Sequence, residues 1–323
     1  MVKIFQLQSL KKQFGKNKRM RQFIFFLLFV DVSFAQQIPQ VVSGKIHRFM
    51  VQSQYTESRN VDVWTPENYS STQKYDVLYM HDGQMLFDST ITWNHLAWDV
   101  DDVVSKMLAS NQVKPVIVVG IWSSATNRHT DYFPQKPYET LTLKEQEMVT
   151  SNLRQNGRIE GKFTPNSDRY LRFLVQEVKP LIDSTFSVYK DASHTFIAGS
   201  SMGGLISMYA LCEYPTVFGG AACLSTHWPG IFSLENNPIP EAFLNYLDLH
   251  LPSLKNHRIY FDCGDQTLDA LYPPLQQAVD KRMKTKRYAK KQWLTSYFPG
   301  ANHSEVAWKK RLQIPLTFLL KPN

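Results

Sequence analysis

A glycine-flanked serine between a strand-like and a helix-like segment constrains this fold more than any other feature of the sequence. Residues 194–198 (HTFIA) have strand character, residues 199–203 are GSSMG, and residues 202–212 form an apolar stretch with helical character. In a G-x-S-x-G turn the strand and helix backbones nearly touch, so the flanking positions must be small. The segment predicts a sharp strand–turn–helix unit from which the hydroxyl of Ser201 projects.

Apolar runs alternate along the chain with segments of helical spacing. Runs that are apolar on both faces are typical of parallel strands covered by helices. The predicted strands are residues 44–54, 60–65, 75–80, 116–121, 194–198, 219–224, 258–262 and 292–298. The predicted helices are residues 98–109, 168–182 (broken at Pro180), 202–212, 268–283 and 305–320. This order predicts an α/β fold with a mostly parallel, doubly wound sheet and helices on both faces.

Residues 36–323 are predicted to form a single domain. The chain has 323 residues, of which 43% are hydrophobic, and this is enough for one large core. Residues 130–166 and 233–254 fit the layered pattern poorly because they mix prolines with polar and scattered apolar residues. Long connections in compact α/β domains are often lids or pocket walls, and surface decoration is the alternative.

The first 35 residues have the pattern of a secretory signal peptide. Basic residues end at Arg21, residues 23–30 are a short apolar run, and small residues precede a predicted cleavage after Ala35. The run is much shorter than the roughly 20 residues that a membrane-spanning helix needs. An uncleaved anchor or a buried helix is the alternative, and Met20 is a second candidate for the true start. The expected location is therefore secreted or periplasmic.

The distribution of charge along the chain argues against nucleic acid as a partner. Of the formal charge of +8, the first 35 residues carry +6, because they hold seven Lys or Arg and one Asp. The remainder has 29 basic and 27 acidic residues. A near-neutral body argues against nucleic-acid binding, which requires a basic face that displaces counterions from phosphates.

Three cysteines, Cys212, Cys223 and Cys263, lie in apolar segments. An odd, small number of cysteines in an exported chain does not indicate a disulfide framework, so buried free thiols are expected. A bond between Cys223 and Cys263 is the alternative, because they can lie on neighbouring strands. No pair has the spacing of metal ligands, so no metal site is expected.

A serine nucleophile needs a base, and the base needs an orienting acid. In folds that use this turn the chain order is serine, then acid, then histidine. His303 follows the last predicted strand and precedes the closing helix, where the base is expected. His250 and His257 flank a polar segment and are expected to be solvated, whereas His227 is expected to line the pocket.

The acid is expected after the strand at residues 258–262. The candidates are Asp262, Asp265 and Asp269, of which Asp262 still lies within the strand. Either of the other two can also be an ordinary acid at a helix N-terminus, where the helix dipole favours negative charge. Asp269 is preferred, and Asp265 is the alternative.

Two backbone N–H groups are candidates for an oxyanion hole. The first belongs to Met202, which follows the nucleophile at the start of a helix. The second belongs to Gln84 or Met85 in the loop at residues 81–85 (HDGQM), after the third predicted strand. The first two residues of that loop are expected to hold it through hydrogen bonds rather than to act on substrate.

Several stretches resemble the esterase-D-like, or putative-esterase, family of α/β-hydrolases. They are VLYMHDGQMLFD, IVVGIW, TFIAGSSMGGLISMYALCEYPTVFGGAACLSTHW, YFDCGDQTLDALY and FPGANHSEVAWKKRL. That family includes feruloyl, acetylxylan and enterochelin esterases, S-formylglutathione hydrolase and mycolyltransferases. The resemblance implies Ser201 as nucleophile, His303 as base and an acid within GDQTLD. Many relatives have an acid three positions after the glycine, where this chain has Thr267.

These observations predict a serine carboxylic-ester hydrolase that needs no metal or organic cofactor. The expected substrate is a small-molecule or glycan ester outside the cytoplasm, linked to a carbohydrate, a phenolic acid or a siderophore. His227 and Trp228 are candidates for substrate contact. The alternatives are an acyltransferase, a peptidase, and a secreted binding module without activity.

Overall fold

An eight-stranded sheet forms the centre of the structure, a computed structural model that describes residues 37–253 and 256–322. The predicted signal peptide at residues 1–35, with its alternative start at Met20 and its cleavage after Ala35, lies outside the described residues. From Ile38 onward the chain forms one compact unit. Among the described residues, no helix is long and apolar enough to cross a membrane.

The strand order in the sheet is β1-β2-β4-β3-β5-β6-β7-β8. The strands are β1 (Lys45–Val51), β2 (Arg59–Thr65), β3 (Asp76–His81), β4 (Val116–Ile121), β5 (Thr195–Ser200), β6 (Gly220–Leu224), β7 (Arg258–Cys263) and β8 (Trp293–Tyr297). Strand β2 is antiparallel to both of its neighbours, and β3 to β8 are parallel. The predicted mostly parallel sheet is confirmed, and β4 has the predicted bounds.

Helices cover both faces of the sheet. They are α1 (Val100–Ala109), α2 (Arg128–Tyr132), α3 (Gln135–Glu139), α4 (Leu143–Gln155), α5 (Ser167–Phe173), α6 (Lys179–Thr185), α7 (Met202–Glu213), α8 (Ile239–His250), α9 (Pro273–Thr285), α10 (Glu305–Arg311) and α11 (Gln313–Leu320). Val77 and Tyr79 of β3 pack into the core shared with α2 to α9. Leu78 and Met80, on the opposite face, pack into the core shared with α1, α10 and α11. This alternation follows from the period of two along a strand.

One prediction about the helices was wrong. The helix predicted to break at Pro180 continues, because a π-helical turn at Leu174–Val178 joins α5 to α6. That turn places Pro180 in the first turn of α6, where its missing N–H costs little. The segments at residues 130–166 and 233–254 also contain helices, since α3 and α4 lie in the first and α8 in the second.

All three cysteines are buried and free, as expected, so Cys223 and Cys263 form no disulfide. They lie on β6 and β7, and burial raises the pKa of all three thiols. Raised pKa values keep these groups as thiols at neutral pH, where they act as small apolar side chains.

The carboxyl ends of the parallel strands place most candidate residues at one edge of the sheet. The loop with Gln84 follows β3, Ser201 follows β5, and His227 follows β6. Asp269 follows β7, and His303 lies between β8 and α10. Ligands of open α/β sheets bind at this edge, so the fold brings residues that are distant in sequence to one place.

Candidate active site

Ser201 occupies a strained turn between β5 and α7. Its φ is 57° and its ψ is −121°, a conformation that residues other than glycine rarely adopt. A Cβ on Gly199 would lie 2.8 Å from the carbonyl carbon of Gly203, so only glycine allows this approach of strand and helix. Local sequence thus produces the predicted sharp turn and fixes Ser201 at the N-terminus of α7.

Asp269 and His303 form a hydrogen-bonded pair. The Nδ1 of His303 lies 2.6 Å from Oδ1 of Asp269, whose side chain is fully buried, whereas that of His303 is 15% exposed. Asp269 belongs to a 3-10 turn, Thr267–Leu271, that follows β7. A buried carboxylate on Nδ1 leaves Nε2 of the imidazole as the proton acceptor, which is the arrangement of a catalytic base.

The alternative acid, Asp265, has a different environment. Its carboxylate accepts hydrogen bonds from the Tyr297 hydroxyl at 2.7 Å and the Gly300 N–H at 2.8 Å, and the residue is partly exposed. These bonds, with one from Gln266, lower the pKa of Asp265. Asp265 therefore stabilises the loop before His303 through hydrogen bonds, whereas Asp269 is the aspartate that contacts the imidazole.

The loops that carry Asp269 and His303 are hydrogen-bonded to each other. The N–H groups of Asp265 and Gln266 both donate to the carbonyl of Ala301 at 3.1 Å. The N–H of His303 donates to the hydroxyl of Thr267 at 3.0 Å. Thr267 thus holds the backbone of His303, while the carboxylate that pairs with the imidazole comes from Asp269, two positions later.

Tyr272 lies against the His303–Asp269 pair, and the sequence did not single it out. Its hydroxyl lies 2.8 Å from Nδ1 of His227, and its ring meets that of His303 edge-on, with 5.8 Å between the centroids. Burial and the charge of Asp269 raise its pKa, whereas a side-chain hydrogen bond from Ser201 lowers it. The Tyr272 ring therefore contacts His303, and its hydroxyl contacts His227, whose backbone N–H bonds to the carbonyl of Ser201. Its position three residues after Asp269 is the only sequence signal.

The candidate oxyanion donors lie on two neighbouring elements. The N–H of Met202 is in the first turn of α7, where no intrahelical acceptor exists. Gln84 lies in a 3-10 turn, Gly83–Met85, and its side chain donates to the hydroxyl of Ser123 at 2.6 Å. A Cβ on Gly83 would lie 2.5 Å from the carbonyl carbon of Gly120, so this glycine lets the loop lie directly on β4.

Two polar residues before Gln84 hold the loop. Asp82 accepts two hydrogen bonds of 2.7 Å from the guanidinium of Arg128. His81 is fully buried with its Nδ1 2.8 Å from the Tyr170 hydroxyl, and burial lowers its pKa to about 3. A neutral, buried imidazole and a paired carboxylate are suited to fixing the loop, as the sequence predicts for these positions.

The two residues predicted to contact substrate are buried. The indole of Trp228 is 2% exposed, donates to Gln276 at 2.8 Å and packs on Phe261. His227 is 1% exposed, and burial holds its pKa well below the ordinary value. Its backbone N–H donates to the carbonyl of Ser201 at 3.2 Å. Trp228 is therefore packed in the core, and the backbone of His227 bonds to the backbone of Ser201.

Similarity to known proteins covers most of the chain. Residues 53–318 match the family model described as "Putative esterase". The uncharacterised protein YbbA of Bacillus subtilis (strain 168) is 22% identical over 275 residues, which are 82% of this chain and 94% of YbbA.

Solved structures of two esterases resemble this fold. Enterochelin esterase from Shigella flexneri has a TM-score of 0.62 and 18% identity over 87% of this chain. This chain spans 60% of the length of that protein. The CE1 ferulic acid esterase of the fungus Anaeromyces mucronatus has a TM-score of 0.59 and 16% identity, covering 88% of this chain and 92% of its own. At these identities the two structures support the fold.

Proposed function

The chain belongs to the family described as putative esterases, and on that premise we propose that it is a serine carboxylic-ester hydrolase of the α/β-hydrolase fold. Ser201 is the nucleophile, His303 the general base, and Asp269 the acid that orients the base. The N–H groups of Met202 and Gln84 form the oxyanion hole.

One observation carries this proposal. The strained Ser201 and the hydrogen-bonded His303–Asp269 pair follow β5, β7 and β8 at the same edge of the sheet, and the ring of Tyr272 lies against His303. A strained serine alone, or a buried histidine–aspartate pair alone, has many structural explanations. Together they supply the nucleophile, base and orienting acid that acyl transfer requires.

The reaction follows from these positions. Nε2 of His303 takes the proton of the Ser201 hydroxyl as the oxygen attacks the ester carbonyl, and a tetrahedral oxyanion forms. The N–H groups of Met202 and Gln84 donate to that oxyanion, helped by the N-terminal dipole of α7. The imidazolium then protonates the leaving alcohol, and the acyl group remains on Ser201. Water, deprotonated by His303, attacks the acyl-enzyme, and the imidazolium returns that proton to the Ser201 oxygen as the carboxylic acid leaves.

The proposed substrate is an ester outside the cytoplasm, linked to a carbohydrate, a phenolic acid or a siderophore. The signal-like pattern of residues 1–35 supports export from the cytoplasm to the periplasm or beyond. The names of the structural relatives, an enterochelin esterase and a ferulic acid esterase, support phenolic or siderophore esters. Membership of the esterase family supports a small-molecule ester.

Hydrolysis of p-nitrophenyl acetate by the purified chain tests the activity. Ser201→Ala is expected to reduce turnover by several orders of magnitude. Ser200→Ala is the matched control, because it removes the neighbouring hydroxyl of the same turn, and it is expected to keep most of the activity. Equal activity of wild type and Ser201→Ala would contradict the proposal. Added sugar alcohols separate the hydrolase from an acyltransferase, for which acylated alcohol would exceed free acid.

A further inference from the structure

The hydroxyl of Ser225 lies at the centre of a buried polar cluster behind the His303–Asp269 pair. Ser225 directly follows β6, is fully buried and has a φ of 40°. Its Oγ lies 2.6 Å from Oδ2 of Asp269, 3.0 Å from Nε1 of Trp308 and 2.8 Å from the guanidinium of Arg311. One hydroxyl thus connects the acid to two residues of α10.

The neighbours of this hydroxyl determine the direction of its hydrogen bonds. An indole N–H and a guanidinium can only donate, so they must use the lone pairs of the Ser225 oxygen. The single proton of the hydroxyl therefore has one acceptor, the carboxylate of Asp269. That carboxylate also accepts the N–H of Gly264 at 2.7 Å. Both donors act on Oδ2, which leaves Oδ1 directed at His303.

Arg311 is itself fixed in place by a second carboxylate. Its guanidinium donates to Oδ1 of Asp262 at 2.8 Å and to Oδ2 at 3.1 Å. Asp262 also accepts the N–H of Ser225 at 2.9 Å and the hydroxyl of Tyr260 at 3.0 Å. The guanidinium comes within 4.0 Å of Asp269. The positive charge therefore acts on the acid both directly and through the hydroxyl of Ser225, which accepts from Arg311 and donates to Asp269.

We propose that Ser225 is a positioning residue that holds the Asp269 carboxylate against His303 and transmits the charge of Arg311 to it. This inference rests on the proposed function, because it assigns a role within the proposed triad. Ser225 touches no substrate atom in this account, and it acts only through Asp269.

Removal of the Ser225 hydroxyl should shift the pH–rate profile in one defined direction. A buried carboxylate that loses a donor gains affinity for a proton, so the His303–Asp269 pair takes up its proton at higher pH. Activity requires the unprotonated pair, and the acid limb of kcat/KM therefore moves to higher pH. The charged and titratable groups that face the pair are Arg311, Asp262, Cys263, Tyr272 and His227.

The test compares Ser225→Ala and Ser225→Gly with the control Ser167→Ala. Glycine suits a φ of 40°, so Ser225→Gly removes the hydroxyl and relieves backbone strain. Ser167 is also fully buried, and its hydroxyl accepts the N–H of Gln135 at 2.9 Å, remote from the triad. The pH dependence of kcat/KM and the ¹⁵N-imidazole NMR titration of His303 are measured in each variant.

Both Ser225 variants are expected to lower the plateau value of kcat/KM about tenfold. They are also expected to move the acid limb of kcat/KM, and the midpoint of the His303 titration, to higher pH. In a background of Asp269→Asn, loss of the Ser225 hydroxyl is expected to cost no further activity, because the two residues act as one unit. Unchanged midpoints in both variants, or an equal loss in the Asp269→Asn background, would overturn the inference. The NMR titration reports on Ser225 even if no ester is hydrolysed, which distinguishes the two proposals.

Discussion

Replacement of Asp269 by asparagine should disable the base without unfolding the protein. Oδ2 of Asp269 accepts hydrogen bonds from two donors, the Gly264 N–H at 2.7 Å and the Ser225 hydroxyl at 2.6 Å. An asparagine carbonyl must take that side, so the amide NH₂ faces Nδ1 of His303. Nδ1 then accepts, the proton moves to Nε2, and the imidazole has no lone pair for Ser201.

The expected cost follows from this change of tautomer. A wrong tautomer in a serine triad lowers kcat by about 10⁴, which corresponds to about 5.5 kcal/mol in the activation barrier. The side chains of Asp and Asn have the same shape, so a cooperative unfolding transition is expected to remain. Asp265→Asn is the matched control, because that carboxylate is partly exposed and bonds to the Tyr297 hydroxyl. Its expected loss is less than about threefold.

The assay is the initial rate of p-nitrophenyl acetate hydrolysis at pH 8, with circular dichroism to verify folding. A loss of about four orders of magnitude in Asp269→Asn and near-normal rates in Asp265→Asn support the assignment. The reasoning is refuted if Asp265→Asn loses as much activity as Asp269→Asn. It is also refuted if Asp269→Asn stays within about tenfold of wild type.

Three further predictions concern residues around the site. Burial lowers the pKa of His81 to about 3 in the folded protein, whereas in the unfolded chain this histidine takes up a proton below about pH 6.5. The free energy of unfolding should therefore fall as pH drops from 6.5 towards 3, and urea titrations should show a shallower fall in His81→Gln. Gly83→Ala should abolish activity or soluble expression, because its Cβ would lie 2.5 Å from backbone of Gly120; wild-type kcat/KM would contradict this. Trp228→Phe should keep KM and lower the free energy of unfolding by about 1–3 kcal/mol, since it leaves the Gln276 oxygen without a donor; a large rise in KM would instead indicate substrate contact.

The sequence predicts the fold well wherever one signal is strong and local. The run at residues 116–121 is almost entirely β-branched, and it forms β4 with the predicted bounds. Glycines around Ser201 predict the sharp turn, because no larger residue allows the backbones to approach. Helix α8 was missed, since the prolines at its start indicate irregular chain although proline is compatible with a first helical turn.

The site is predictable only in part, because its contacts join distant segments. Chain order predicts a serine, an acid and a histidine along the sequence, but it cannot show which aspartate meets the imidazole of His303. That choice depends on the 3-10 turn after β7, which buries Asp269 and leaves Asp265 partly exposed. Tyr272 belongs to no recognisable motif. The contacts of Tyr272 and of the Ser225 hydroxyl depend on which strands are neighbours in the sheet, and the sequence alone does not show this.

Covalent labelling tests the central claim, that Ser201 is an activated nucleophile, most directly. The purified chain is treated with a fluorophosphonate, digested and mapped by mass spectrometry. The account predicts one adduct, on Ser201, that is absent in Ser201→Ala and greatly slowed in His303→Ala, because the imidazole removes the hydroxyl proton. An unlabelled chain, or an adduct on Ser200 or Ser225 in place of Ser201, would contradict it.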